Sequence, residues 1–168
     1  MKLKIIAFSL IAMTFIGCGK SAFMMMDKTP EYQKALQFTE QKELRNYFET
    51  LAIVRVTYLS ALEPKKYGNV PTFFVGLNIK NDFLRNKKGI NNPLFSLMSN
   101  NTEITEIEEV TIEHPLYKSM PVMNRWSRYY KITFIGNPLL ETMNVKFEHK
   151  ASKENIVFTF NPLENFQH

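Results

Sequence analysis

Apolar and polar side chains alternate with a period of two over most of the chain after residue 51, and this alternation restricts the fold more than any other feature. In the last third it runs through residues 126–134, 143–148 and 156–160. A period of two places successive side chains on opposite sides of a β-strand, so each segment is predicted to be a strand with one face in the core. Because the connections between these segments are short, they are predicted to form an antiparallel meander.

Upstream segments extend the same pattern. Residues 52–59 and 72–80 are predicted to be strands, the second of them half-buried, and residues 103–113 an acidic edge strand. Residues 81–101 are interpreted as a long connection around the short apolar stretch 94–98. At least six strands without helical crossovers predict a mainly β fold, α+β by element count. The expected architecture is an antiparallel β-sandwich, immunoglobulin-like as first choice, with a small barrel as the alternative.

One amphipathic helix is predicted ahead of the strands, over residues 30–47. Thr29 suits the N-cap, Pro30 the first helical position, and Glu31 the positive end of the helix dipole. Apolar residues recur at helical spacing, although the stretch 37–46 is mostly polar. We expect the apolar stripe to pack on the domain; a partner or a membrane face is the alternative.

The N-terminal segment predicts export. Lys2 and Lys4 precede an apolar run, 5–16, which is shorter than the roughly 20 residues that span a bilayer and has the size of a secretory signal. Gly17 and Cys18 follow it directly. We therefore exclude this segment from the folded domain.

The sequence Phe15-Ile16-Gly17-Cys18 resembles the lipobox of bacterial lipoproteins. The resemblance implies transfer of diacylglycerol to the Cys18 thiol, cleavage after Gly17 and N-acylation of the new terminus, with no other cofactor. The alternative is a secreted protein that is cleaved elsewhere. Cys18 is the only cysteine, so no internal disulfide is expected. With its Lys/Asn/Ile/Phe-rich composition, the chain is similar to small envelope lipoproteins of AT-rich, epsilon-type proteobacteria.

This interpretation divides the chain into a signal peptide (1–17), a lipidated tether (18–28) and one globular domain (29–168). The net charge is +5, and loss of Lys2 and Lys4 with the signal would leave an excess too small to indicate nucleic-acid binding. We expect a lipid-anchored protein of the bacterial envelope, with its domain in the periplasm. The choice between inner and outer membrane stays open, because the segment Gly19-Lys20-Ser21 lacks the usual retention aspartate yet resembles the start of pseudomonad efflux adaptor lipoproteins.

Residues typical of metal sites and catalysis are few. The histidines are His114, His149 and His168, and no metal-ligand or nucleophile motif contains them, so we expect neither a metal site nor an enzyme. A hydrolase would need His114 or His149 beside an exposed serine and a carboxylate in one cleft. The acidic run from Glu103 to Glu113 is interpreted as a solvated face, with binding of a cation or a basic partner as the alternative.

The segment 120–130 is the best candidate recognition surface. It contains tryptophan, tyrosine and arginine, the residue types that dominate binding hot spots. Arg125, Arg128 and Tyr129 are predicted to reach solvent or a partner, whereas Trp126 is predicted to lie in the core.

The leading hypothesis is a lipid-anchored, non-catalytic interaction domain with a protein partner in the envelope. The second is a binder of a small apolar molecule or a lipid, which would need a cavity of about 300 Å³ or more. A hydrolase is the third.

Overall fold

The computed structural model describes residues 30–80, 88–138 and 140–162, which form two antiparallel β-sheets with a few short helices. The predicted mainly β class is confirmed. The helices are α1 (Pro30–Gln37), α2 (Leu59–Leu62), α3 (Pro64–Tyr67) and α4 (Pro115–Ser119), with a 3₁₀ turn at Gly89–Asn91. The strands are β1 (Thr39–Asn46), β2 (Glu49–Tyr58), β3 (Thr72–Ile79), β4 (Phe95–Ser99), β5 (Ile104–Glu109), β6 (Arg128–Phe134), β7 (Met143–His149) and β8 (Asn155–Phe160).

The larger sheet has the strand order β1-β2-β3-β6-β5, and the smaller has the order β4-β7-β8. The prediction that the last three strands form one meander is wrong, because β6 belongs to the larger sheet and only β7 and β8 form a hairpin. Between β6 and β7 the chain passes from one sheet to the other. Gly136 lies in this crossing with φ 149°, a conformation that residues with a side chain rarely adopt. The alternation of apolar and polar residues predicts which face of a strand a side chain lies on. It does not predict which sheet the strand belongs to.

The two sheets face each other across one hydrophobic core. The alternation predicted for residues 52–59 is confirmed, since Ala52, Val54, Val56 and Tyr58 all point into this core. They meet apolar residues of the smaller sheet, among them Met143, Val145, Phe147, Phe158 and Phe160. Burying one such aromatic or aliphatic side chain stabilises the fold by about 1.5–3 kcal/mol. This core is therefore what holds the sheets together.

A second cluster covers the outer face of the larger sheet. It joins residues of α1, α2 and α4 to the sheet and comprises Ala35, Leu59, Leu62, Phe74, Val110, Leu116, Met120 and Tyr129. Strand β3 is consequently buried on both faces, and the prediction that it is half-buried is wrong. The sequence shows only that Phe74 and Gly76 occupy the second face; the covering layer comes from distant residues.

The predicted helix 30–47 is wrong in its second half. Helix α1 ends at Gln37, and β1 follows at once as an edge strand paired with β2. The polar stretch has no continuous apolar face for a helix, whereas a strand can bury Leu44 alone and leave its neighbours at the edge. Thr39 Oγ1 donates to Ala35 O over 2.6 Å at the point where the chain turns.

Two other segments test the predicted pattern. The connection 81–101 contains β4, which pairs with β7, so its interpretation as a loop is wrong for Phe95–Ser99. The acidic edge strand is confirmed as β5, at the end of the larger sheet, although it is shorter than predicted. The signal peptide, Cys18, the tether, Thr29 and His168 lie outside the described residues.

Candidate binding cleft

A cleft of about 420 Å³ opens where the ends of β3, β5 and β6 meet the segment that leads into β6. Its apolar lining includes Leu77, Ile79, Val110, Tyr117 and Tyr129, and its polar lining includes Glu109, Thr111, Asn124, Arg125, Ser127 and Arg128. Ile112 and Trp126 add two exposed apolar side chains. Residues of the predicted recognition segment, 120–130, therefore form much of one wall of this cleft.

Trp126 stands at this cleft with 53% of its surface exposed, so the prediction that it lies in the core is wrong. The regular strand begins only at Arg128, and the alternation therefore does not extend back to residue 126. The Arg125 guanidinium lies 4.4 Å from the centroid of the Trp126 ring, a cation–π contact. Together the two side chains present a flat apolar ring and a positive charge at the cleft.

The turn that carries Trp126 is held by Asn124. Its side-chain oxygen accepts hydrogen bonds from the backbone N–H groups of Trp126 and Ser127, each over 2.9 Å. Asparagine side chains close turns in this way by replacing a backbone acceptor. The backbone N–H of Asn124 donates to Tyr129 Oη over 2.7 Å, and Tyr129 Oη donates to Asn124 O over 3.1 Å. Asparagine at residue 124 is the sequence signal for this turn, and it was not among the predicted site residues.

Tyr129 lines the base of the cleft and is only 3% exposed, so the prediction that its side chain reaches solvent is wrong. Its ring stacks on Phe74 at 5.5 Å between centroids and meets the edge of Tyr117 at 5.7 Å. The ring lies across Gly76, where an added Cβ would come within 2.8 Å of Tyr129 Cε1. Tyr129 thus positions the turn, and Gly76 leaves the space for its ring.

Both arginines of the predicted recognition surface line the cleft, but they differ in exposure and in hydrogen bonding. Arg125 is exposed, whereas Arg128 is half-buried and donates to Glu109 Oε1 through Nε at 3.0 Å and through a terminal nitrogen at 2.6 Å. Glu109 therefore offsets one of the two positive charges. The side of the cleft formed by Arg125 therefore carries a net positive charge.

Two glutamates of the acidic run, Glu108 and Glu109, are paired with basic residues. Glu108 forms an ion pair with Lys131 of β6, and His114 Nε2 lies 3.2 Å from Glu108 Oε1. The hydrogen bond from Lys131 is the main cause that holds the pKa of Glu108 below its usual value. Within the described ranges, no group of three or more His, Cys, Asp or Glu residues could hold a metal ion.

The histidines have separate partners. His149 Nδ1 lies 2.8 Å from Ser152 Oγ, inside the turn between β7 and β8. His114 contacts the Glu108 carboxylate, and its Nδ1 accepts from the backbone N–H of Leu116 at the start of α4. Among the contacts of the described residues, neither histidine brings a serine and a carboxylate together.

The chain matches no protein-family model, no curated protein and no solved structure. In the described part of the chain, no helix is long and apolar enough to cross a membrane. The geometry of the cleft is therefore the main guide to function.

Proposed function

We propose that this protein is a lipid-anchored, non-catalytic interaction domain of the bacterial cell envelope, and that it binds a protein partner at the cleft beside Trp126. The observation behind the proposal is the half-exposed Trp126 ring with the Arg125 guanidinium against it. Tryptophan and arginine dominate binding hot spots because each combines a large contact area with directional polar groups. The exposed side chain of Ile112 lines the same cleft, and exposed apolar patches rimmed by polar residues mark interaction sites.

The rigidity of the turn strengthens the proposal. Asn124 and Tyr129 hold the backbone on both sides of Trp126 through four hydrogen bonds. A side chain whose backbone is already ordered loses less conformational entropy when a partner binds. The turn is thus suited to present Trp126 in one orientation.

The anchor in this proposal rests on the sequence. Gly17 and Cys18 have the pattern of a lipobox, and the described domain begins shortly after them, at Pro30. A domain held this close to a bilayer meets partners of the same membrane or of the adjoining wall. Several acyl chains would be needed for stable anchoring, since each buried CH₂ contributes about 0.8 kcal/mol and one chain alone binds only marginally.

We also propose that the two-sheet fold is an immunoglobulin-like sandwich. In such domains, strands A, B, E and D form one sheet and C, F and G the other. If β2 to β8 correspond to A to G, the order β2-β3-β6-β5 equals A-B-E-D, and β4-β7-β8 equals C-F-G. Strand β1 is then an addition beside strand A. Many such domains bind partners through surfaces outside the core.

A small apolar ligand or a lipid is the second candidate occupant of the cleft. The cleft volume of about 420 Å³ favours it, since ligand pockets measure about 300–1,000 Å³. The exposed Arg125 guanidinium favours a protein, because a purely apolar ligand would offer this charge no polar contact. The space between the sheets is occupied by aromatic rings, among them the stacked pair Tyr58 and Phe73 and the tilted ring of Phe160.

The decisive experiment is site-specific photocrosslinking in cells of the full-length, anchored protein. A photoreactive amino acid replaces Trp126 in one strain and Val157, an exposed residue of β8, in the control strain. We expect a reproducible protein adduct from residue 126, absent from residue 157 and lost when Arg125 is also changed to alanine. Capture of lipid alone would favour the second candidate, and identical adducts at both positions would refute a cleft-specific partner.

A further inference from the structure

Arg55 is a buried cation in the middle of β2. Its residue is only 6% exposed, and it lies on the outer face of the larger sheet, opposite Gln41 of β1 and Gly76 of β3. Moving a guanidinium out of water is costly, and buried charges are therefore usually paired with an opposite charge. Arg55 thus raises the question of its counter-ion.

The hydrogen bonds of Arg55 go to neutral acceptors. One terminal nitrogen donates to Val122 O over 2.6 Å, and the other donates to the side-chain oxygen of Gln41. Within the described part of the chain, no carboxylate forms an ion pair with the Arg55 guanidinium. Two of its five N–H donors have acceptors in these hydrogen bonds, and no acid among the described residues neutralises its charge.

A pocket of about 80 Å³ adjoins this guanidinium. Its walls are Gln41, Ile53, Arg55, Gly76, Asn78, Asn124 and Ser127, with no acidic residue among them. The side chains of Asn78 and Ser127 make no hydrogen bond with other described residues. The volume exceeds the roughly 30 Å³ that one water occupies in the liquid, so a carboxylate group fits there. Polar groups without partners beside a buried cation are suited to bind an anion.

This pocket and the Trp126 cleft share two wall residues, Asn124 and Ser127. Those residues belong to the turn that presents Trp126. The two pockets therefore border the same turn.

We infer that the Arg55 pocket binds a carboxylate of the polypeptide segment that occupies the Trp126 cleft. The inference rests on the proposed function and deepens it, because it specifies the chemistry of the partner: an apolar side chain against Trp126 and a carboxylate at Arg55. Planar carboxylates match the guanidinium fork, and hydrogen bonds between ionised groups are the stronger ones. The carboxylate belongs either to a chain terminus or to an acidic side chain.

Three short peptides distinguish these sources on the native protein. They are acetyl-Ala-Phe with a free carboxylate, the same peptide as its C-terminal amide, and acetyl-Glu-Phe-amide. Binding is followed by the fluorescence of Trp126, the only tryptophan, and by the NMR signal of the Arg55 Nε–H. We expect the neutral amide to bind about tenfold or more weakly than at least one of the two acids. The acidic peptide that binds more tightly shows whether the pocket prefers a terminal or a side-chain carboxylate.

Matched variants test the role of the guanidinium. Arg55→Gln should remove the preference for the acid, whereas Arg45→Gln should retain it, because Arg45 is exposed and paired with Glu43. If Arg55→Gln does not fold, Asn78→Leu provides the second test, since it removes a polar wall and leaves the guanidinium in place. It should weaken binding of the acid and leave binding of the amide unchanged.

The outcomes separate this inference from the proposed function. Equal binding of acid and amide, an unchanged Arg55 signal when the Trp126 signal is saturated, or no response at either position would overturn the carboxylate site. Crosslinking to a protein partner at Trp126 could still succeed in those cases. Conversely, acid binding at Arg55 without any crosslinked protein would support the pocket and refute the protein-partner function.

Discussion

The buried hydroxyl of Tyr58 leads to a prediction about the free energy of unfolding. The side chain is fully buried between the sheets, its ring stacked on Phe73 at 4.8 Å and close to Phe160 at 5.3 Å. Its Oη makes no hydrogen bond with any described residue, and burial raises the pKa of this phenol above its usual value. The ring stabilises the fold while the hydroxyl destabilises it.

Tyr58→Phe removes the hydroxyl and keeps the ring. A buried polar group without a partner costs about 1–3 kcal/mol, and part of this is offset by the small void that the oxygen leaves. We therefore expect the free energy of unfolding to rise by about 1–2 kcal/mol. For a domain of this size, that corresponds to an increase in Tm of roughly 2–8 °C.

Tyr129→Phe is the matched control, because its hydroxyl accepts one hydrogen bond from Asn124 and donates another to it. Each such bond is worth about 1 kcal/mol net, so this variant should lose about 1–2 kcal/mol. Both variants are measured by urea unfolding, followed by circular dichroism. A loss of more than about 0.5 kcal/mol in Tyr58→Phe would refute the reasoning and indicate that an ordered water satisfies the hydroxyl.

Three other changes have defined outcomes. Gly76→Ala should destabilise the domain by about 1–3 kcal/mol in urea unfolding, because the new methyl group would displace the Tyr129 ring; wild-type stability would contradict this packing. The pKa of Glu108 is lowered in the fold by Lys131, so its stabilising effect is present above the unfolded pKa of about 4.3 and is lost as the pH falls through the folded value. The stability difference between wild type and Glu108→Gln should therefore shrink from pH 7 to pH 3, and a constant difference would exclude this linkage. Cys18→Ala should abolish acyl labelling and release the protein from membranes, and unchanged labelling would refute the lipobox interpretation.

The positions of most strands follow from the sequence alone. Alternation over residues 52–59 and 72–80 predicted β2 and β3, and the acidic pattern predicted that β5 lies at a sheet edge. The reason is local: a strand's side chains alternate by geometry, so one buried face leaves a period of two in the sequence. Two residues of the predicted recognition surface, Arg125 and Arg128, line the cleft, but the cleft itself was not predicted.

The tertiary structure alone decided how these strands are combined. Polar residues 39–46 became a strand because β2 offered an edge to pair with and a core position for Leu44. The same holds for Trp126 and Tyr129, whose exposures are the reverse of those predicted. The Asn124 turn shifted the start of β6 past Trp126, and the layer over β3 covered Tyr129. The Asn124 turn is local, whereas contacts between distant segments set the burial of Leu44 and Tyr129. A periodicity measured along one segment contains no information about such contacts.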